Sequence, residues 1–550
     1  MLKKILNVIM ILVILLPAVN SEVIHNEKMQ KNNCYSGEGI YKPYSPGEHQ
    51  ENVFCYLPDQ LIVIFNETLF DVEECKTFAG YNFTDIISEI NAALIEVPGA
   101  DPCLMEQIKK ELSSFEEVEY VEFNFIDDIV LTEQGNSNIK KSWGQNVTNC
   151  PDAWKKTKGN KEVSIAFIDS GVDYHVDFKK PEKEADFIDP EWWQPPDDRA
   201  EDVYGHGTKM VGIVFGKHND IGLDGVAPNC IYYSVRVSKN GSFLRYIDVW
   251  RVARGILYAA SPLHLNADIL CIPISLELKE NMCIPVEKAC EIARNKYHSV
   301  LIASAGNENE KRISFPGKYN TTICVGAIND KNERFFLSSQ GDELDVVAPG
   351  SEIFTTNLSN SYVCISGTSP ATAFVAGIAA LYFSAKGVKN PNMEDVENCE
   401  KALIESAMEH DLGEPGKDQE FGYGLVDAKL VVTVGRKIVG DFYWKPSSPS
   451  SGDLVVFHST SYDPDGKISI YAWDFNNDGK DDAWGKTVST VYPKSGKYTC
   501  AHWVKSNDGQ SLTIKKTIKV TKTKKISRIP SNEKHIQPIL LELFFKKFIS

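Results

Sequence analysis

The chain has 550 residues, 43% of them hydrophobic, and a formal net charge of −17. That length allows two to four domains with sizeable cores. The acidic balance argues against nucleic acid as the main partner, and composition leaves the reaction class open.

In chain order, Lys3 and Lys4 precede a short apolar run over residues 5–16, then Pro17 and the small residues Ala18 and Ser21. This predicts an export signal over residues 1–21 and a secreted protein. The alternative, a retained anchor, needs about 20 apolar residues, more than this run supplies. No later segment reads as a spanning helix. Export makes disulfides available to the 13 cysteines, and an odd number leaves at least one unpaired within the chain. Cys34, Cys55, Cys75 and Cys103 come early and Cys283 and Cys290 are close neighbours, whereas Cys271, Cys324 and Cys364 lie in apolar runs and read as buried thiols.

Residues 22–135 form an N-terminal region whose core, 58–128, reads as a small α+β unit. Strands are predicted at 61–65, 92–97 and 118–123, with helices near 84–91 and 104–114 and a linker near 133–139. Residues 136–432 alternate unbroken apolar runs, at 163–168, 231–237, 269–274, 300–303, 323–327 and 344–348, with helical patterns at 243–260, 285–296 and 370–385. Apolar runs of this kind suit strands buried on both faces. The alternation predicts an α/β domain with a mostly parallel, doubly wound sheet and its site beyond the carboxyl ends of the strands. Residues 438–521 turn to short alternating strands, at 454–458, 469–475, 497–504 and 511–520, and predict a β-sandwich. A basic, then apolar tail covers 522–550.

Four residues carry candidate chemistry. Asp169 ends the run 163–168, where a turn aspartate is also common. His206 stands between Gly205 and Gly207, which let backbone and substrate approach the imidazole; a solvated loop histidine is the plainer alternative. His175 is a rival base without that frame. Ser369 precedes Pro370 and an apolar helix, the place of an ordinary N-cap and equally of a nucleophile on a rigid element. Asn307 follows the run 300–303 and reads either as a turn residue or as an oxyanion donor. Together they occur in the order Asp, His, Asn, Ser, and the order Asp…His…Ser is the one found in subtilisin.

The blocks Ile168-Asp169-Ser170-Gly171-Val172-Asp173, Gly205-His206-Gly207-Thr208 and Gly367-Thr368-Ser369 resemble the signatures of subtilisin-like serine peptidases. Gly225-Val226-Ala227-Pro228, Ala305-Gly306-Asn307 and Val347-Ala348-Pro349-Gly350 follow in that family's order. The resemblance covers about residues 140–432 and implies a catalytic triad of Asp169, His206 and Ser369, with Asn307 in the oxyanion hole. It also implies a substrate groove lined by Ser275, Leu276 and Glu277 on one side and Ser304, Ala305 and Gly306 on the other. Lys209, Pro370, Ala373 and Phe374 depart from the family pattern; Pro370 suits a helix start, and Ala373 and Phe374 put the helix geometry after Ser369 in question. Glu277 stands where the family has Gly, which predicts a preference for basic residues near the cleavage point.

Residues 58–128 resemble the family's inhibitory propeptide, which implies a zymogen cut by its own activity near 128–140. Residues 438–521, with Asp463-Pro464-Asp465-Gly466 and Tyr471-Ala472-Trp473-Asp474-Phe475, resemble a PKD domain, a module expected here to bind protein or carbohydrate. Asp474, Asn476, Asp478 and Asp482 have calcium-loop spacing, against which stands a plain acidic turn; the glutamate that would complete an EF-hand is missing. The expected partners are protein or peptide substrates and the chain's own propeptide. The competing class is an inactive secreted binding protein or adhesin on the same scaffold.

Overall fold

The computed structural model describes residues 35–36, 39–43, 53–127, 132–134, 142–188, 200–219, 221–240, 245–433, 438–463, 467–507 and 510–522. The export signal, Cys34 and the tail beyond 522 lie outside them. The chain divides into two compact units, 1–431 and 432–550.

The first unit opens with strands β1 (Val53–Phe65), β2 (Tyr81–Ile87) and β3 (Ala92–Glu96), helix α1 (Pro102–Leu112) and strand β4 (Val118–Asp127). β1 pairs antiparallel with both β3 and β4. The helix predicted near 84–91 is instead β2 and a single 3-10 turn, Ser88–Ile90. Period two wins there: Phe83, Asp85 and Ile87 are buried in alternation with β-branched neighbours, and Asn91, at φ 49°, stops any helix. Asp101 caps α1 by accepting from Leu104 N at 2.8 Å, and Met105, Ile108 and Leu112 form its buried stripe.

Strand β5 (Thr132–Gln134) leads to the central sheet, whose strands are β6 (Ser164–Asp169), β7 (Lys183–Asp186), β8 (Ile231–Arg236), β10 (Ile269–Ile272), β11 (Val300–Ser304), β12 (Ile323–Ile328) and β13 (Val346–Pro349). They run in the order β7-β8-β6-β10-β11-β12-β13, all parallel. β9 (Arg245–Asp248) stands apart from this sheet. It was expected to be helical; instead it pairs antiparallel with the end of β4, Ile247 opposite Asp127 and Asp248 opposite Ile126. The helix there starts only at α3 (Val249–Ala260), where Asp248 accepts from Arg251 N. The N-terminal sheet therefore continues into the peptidase-like region. One hydrophobic cluster joins them, from Leu61 and Phe123 to Trp250 and Val286 on α3 and the next helix.

Before β8 comes α2 (His206–Phe215); after β10 comes α4 (Ile284–Asn295). β14 (Ile353–Asn357) and β15 (Ser361–Ser366) form a hairpin, and β15 also pairs antiparallel with β5. The hairpin delivers the chain to α5 (Thr368–Lys386), which is followed by α6 (Met393–Met408). α5 is long and apolar enough to cross a membrane, but 89% of its apolar window is buried, as in a core helix. Cys271, Cys324 and Cys364 are buried thiols as expected, and Cys283 and Cys290 are separate buried thiols rather than a bridged pair.

The second unit holds two antiparallel sheets. One contains β16 (Phe442–Lys445), β17 (Leu454–Ser459) and β20 (Thr487–Val491). The other contains β18 (Ile468–Asp474), β19 (Ala483–Trp484), β21 (Gly496–Ser506) and β22 (Ser511–Val520), in the order β19-β18-β21-β22. Phe442, Phe457, Trp473, Phe475 and Ile518 pack between them, so Trp473 and Phe475 are core residues.

Candidate active site

Asp169 is the last residue of β6 and His206 the first of α2, so a strand exit and a helix start bring them together. Both are fully buried. His206 Nδ1 lies 2.7 Å from Asp169 Oδ1 and 2.9 Å from Oδ2. Asp169 Oδ1 also accepts from Ser170 N at 2.6 Å. With Nδ1 donating to the carboxylate, His206 Nε2 is left as the basic atom, and it is buried with no hydrogen-bond partner. The approach is close: a Cβ on Gly207 would stand 2.1 Å from Gly171 O, so only glycine fits there.

A residue the sequence reading missed holds this pair in place. Asp202 Oδ1 accepts from Ser170 Oγ, Tyr204 N and Gly205 N at 2.9, 3.0 and 2.7 Å. Its Oδ2 accepts from Thr208 N and Thr208 Oγ1 at 3.0 and 2.7 Å. Ser170 Oγ in turn accepts from Gly207 N at 3.0 Å. One carboxylate thus clasps the loop after Asp169 to the loop that carries His206. Burial pushes the Asp202 carboxyl above the ordinary range, opposed by the Thr208 and Gly205 donors. Nothing in the sequence around 202 marks this role.

Ser369 is the second residue of α5 and nearly buried. The helix is preceded by Gly367, and Ser369 makes no capping bond, so the ordinary N-cap reading does not apply. Its Oγ donates to Pro273 O at 2.6 Å, beyond the carboxyl end of β10. The hydroxyl is therefore turned to a main-chain carbonyl rather than to His206. α5 runs unbroken past Pro370, Ala373 and Phe374 to Lys386, which removes the doubt about helix geometry.

Asn307 Oδ1 accepts from Thr368 N at 2.8 Å and Thr368 Oγ1 at 3.2 Å. This fixes the amide so that its NH₂ is free of those contacts and available as a donor. His175 is a structural residue: Nδ1 accepts from Asp177 N at 3.1 Å, which leaves Nε2 to donate to Ser361 O at 3.0 Å.

The six groove residues divide. Ser304 Oγ donates to Ile274 O, tying the two walls together. Leu276 exchanges backbone bonds with Phe315 and its side chain is buried. Ala305 is buried and accepts from Ser314 N. Ser275 and Glu277 are half-buried, and Gly306, at φ 109°, donates to Thr368 Oγ1. Glu277 N donates to Asp127 Oδ2 at 2.6 Å, so the end of β4 reaches the groove edge. The Glu277 carboxyl is pushed up to about 10 by burial and by Glu308, Asp127 and Glu310. The carboxyl that the sequence placed at the groove edge therefore lies among other carboxylates in this state.

The four calcium candidates do not form a cage. Asp474 accepts from Asn476 N, Asp478 N and Gly479 N, and Asp482 Oδ2 accepts from Phe475 N. These bonds fold the turn onto its own backbone. Among the described residues no group of three or more His, Cys, Asp or Glu side chains could hold a metal. A different oxygen fits a hard cation better. Asp177 Oδ1 is buried and unpartnered, while its Oδ2 accepts from Leu223 N at 3.2 Å. Calcium favours such a carboxylate together with neighbouring carbonyls.

Residues 160–424 match the model of the subtilase family and residues 444–521 that of the PKD domain. The chain is 30% identical to the minor extracellular protease Epr of Bacillus subtilis, over 60% of this chain and 48% of that protein. It is 31% identical to a thermophilic serine proteinase of Bacillus sp. (strain AK1), over 64% of this chain and 84% of the relative. Subtilisin E of Bacillus subtilis is 30% identical over 67% of this chain and 89% of its own length. On these matches the chain belongs to the subtilase family of serine peptidases.

Proposed function

We propose that the protein is a secreted endopeptidase, made as a zymogen, that hydrolyses peptide bonds through a Ser369 acyl-enzyme. The observation that carries this reading is the buried His206–Asp169 pair with Nε2 unpartnered. Ser369 Oγ turns from Pro273 O toward Nε2 and attacks the scissile carbonyl carbon while His206 takes its proton. Asp169 stabilises the imidazolium. The oxyanion is met by the Asn307 NH₂ and the Ser369 backbone N–H, at the start of a helix that favours negative charge. His206 then protonates the leaving amine as the C–N bond breaks. Water, deprotonated by His206, attacks the acyl carbon; the C–Oγ bond breaks, the acid product leaves, and His206 returns the proton to Ser369 Oγ.

Residues 58–128 act as the propeptide in this reading. Ile126 and Asp127 pair with Ile247 and Asp248, and Thr132–Gln134 pair with β15, the strand that leads toward Ser369. The maturation cut is expected near residues 128–140, after the pairing of β4. Glu277 at the groove edge is expected to favour basic residues near the cleavage point. A structural calcium belongs at Asp177. The C-terminal sandwich binds protein or carbohydrate. One observation favours the second reading, an inactive adhesin: the Ser369 hydroxyl bonds Pro273 O.

Casein hydrolysis by matured wild type, absent in Ser369→Ala, tests the peptidase reading, and N-terminal sequencing locates the cut. A purified Ser369→Ala chain that still matures alone refutes self-processing, and a wild type without hydrolysis favours the adhesin.

A further inference from the structure

The second unit has a sheet face that the peptidase chemistry does not use. In β19-β18-β21-β22, Trp473, His502, Val504 and Ile518 are buried inward. Across the sheet, Trp484 lies opposite Ala472, Ala472 opposite Trp503, and Trp503 opposite Thr513. Directly opposed residues of antiparallel strands share a face, so these four make one outward row. The strands bearing the two tryptophans are two interstrand steps apart, about 10 Å. Trp484 is 62% exposed, and Ala472 between the indoles is fully buried. The exposed indole of Trp484 and the half-buried Trp503 stand on either side of this covered residue, so the face offers aromatic surface.

The same register places lysines beside the row. Lys505 lies opposite Ser511, Lys515 opposite Ala501, and Lys497 opposite Lys519. Lys497, Lys515 and Lys519 are exposed and Lys505 half-buried. Of the nearby acids, Asp474 shares this face, in the row of Ala501 and Lys515, but it is buried and committed to backbone donors. The chain as a whole is acidic, at −17, so this cationic strip is a local feature.

We propose that this face binds an anionic polysaccharide, one bearing uronate or sulfate groups. The proposal specifies the partner of the sandwich's binding role and is independent of the peptidase centre. A sugar ring presents an apolar C–H face that stacks on an indole, while its hydroxyls meet the hydroxyls of Thr513 and Ser511 and its anionic groups the lysines. A protein partner fits less well, because a protein interface buries a continuous apolar centre, and here the exposed indole stands among hydroxyl and ammonium groups.

The test uses the full-length Ser369→Ala chain, which cannot cut itself, titrated by tryptophan fluorescence with heparin, polygalacturonate and neutral dextran. Binding to heparin or polygalacturonate is expected, with dextran inactive, and which polyanion binds identifies the anionic group. Trp484→Ala, an exposed position, is expected to weaken binding at least tenfold with an unchanged melting temperature; Lys505→Gln with Lys515→Gln is expected to do the same. On an otherwise wild-type chain, Trp484→Ala leaves hydrolysis of a short peptide unchanged, which keeps this result separate from the peptidase reading. No binding to either polyanion, equal binding of Trp484→Ala, dextran binding as tight as the polyanions, or capture only by an acidic protein such as casein would overturn the proposal.

Discussion

At the carboxyl edge of β6, Asp169 and His206 are held from several sides, with Asp202 clasping both loops by five accepted hydrogen bonds. At the start of α5, Ser369 rests on a single hydrogen bond to Pro273 O. The contrast separates what must be rigid from what must move. A base is useful only in one tautomer and one orientation, so it is built in advance. A hydroxyl needs one bond rotation to change partner. Exchanging one neutral hydrogen bond for another costs about 1 kcal/mol or less, which a nucleophile tolerates.

The comparison can be broken most forcefully at the rigid end. Asp169→Asn keeps the shape but favours the wrong imidazole tautomer, and kcat is expected to fall about 10⁴-fold with substrate affinity little changed. A loss below tenfold in steady-state kinetics would mean that the pair is not the base. Asn307→Ala removes the proposed oxyanion donor, whose side-chain carbonyl is pinned by Thr368, and is expected to lower kcat about 10²–10³-fold with KM nearly constant, a magnitude known from the same family. A rise in KM alone would make Asn307 a substrate contact instead.

Asp202→Asn sharpens the comparison by loosening the clasp without touching the reacting atoms. An amide NH₂ facing the Thr208 donors forfeits two of the five bonds, and denaturant unfolding should show a loss of about 1–3 kcal/mol. The kcat cost should stay below about 100-fold, because the base is displaced rather than removed.

Asp268 supplies the control at the far end of β6, where its Oδ2 accepts from Ser164 N and Oγ. Burial pushes its carboxyl from 3.8 to about 6. The folded state therefore holds this proton more tightly than the unfolded one. Its contribution to stability is intact below pH 3.8 and falls by about 3 kcal/mol as pH rises to about 6. Asp268→Asn should flatten that slope in pH-dependent melts and leave kcat unchanged. An unaltered slope would assign it to another group.

Much of this architecture was legible in the sequence because local pattern and burial agree. The apolar runs ending at Asp169 and Ser304 could only be strands buried on both faces, and the flanking glycines of His206 marked a close backbone approach. The misreadings arose where two periods compete. Residues 84–91 carry apolar side chains at spacings that suit a helix turn or a strand, and pairing with β3 decided for the strand. Residues 245–248 look helical until β4, more than a hundred residues earlier, offers an edge to pair with. Asp202 and the Pro273 carbonyl were invisible for another reason. Their roles are set by what the fold brings to them, since a lone aspartate in a polar loop and a main-chain oxygen have no sequence signature.

Labelling of the matured enzyme by a fluorophosphonate probe, followed by mass spectrometry of the modified peptide, tests most directly whether the built base and the resting hydroxyl act together. Stoichiometric modification at Ser369, abolished in both Ser369→Ala and His206→Ala, is the expected result. A matured, folded protein whose Ser369 stays unmodified, or is modified equally without the imidazole, would contradict it.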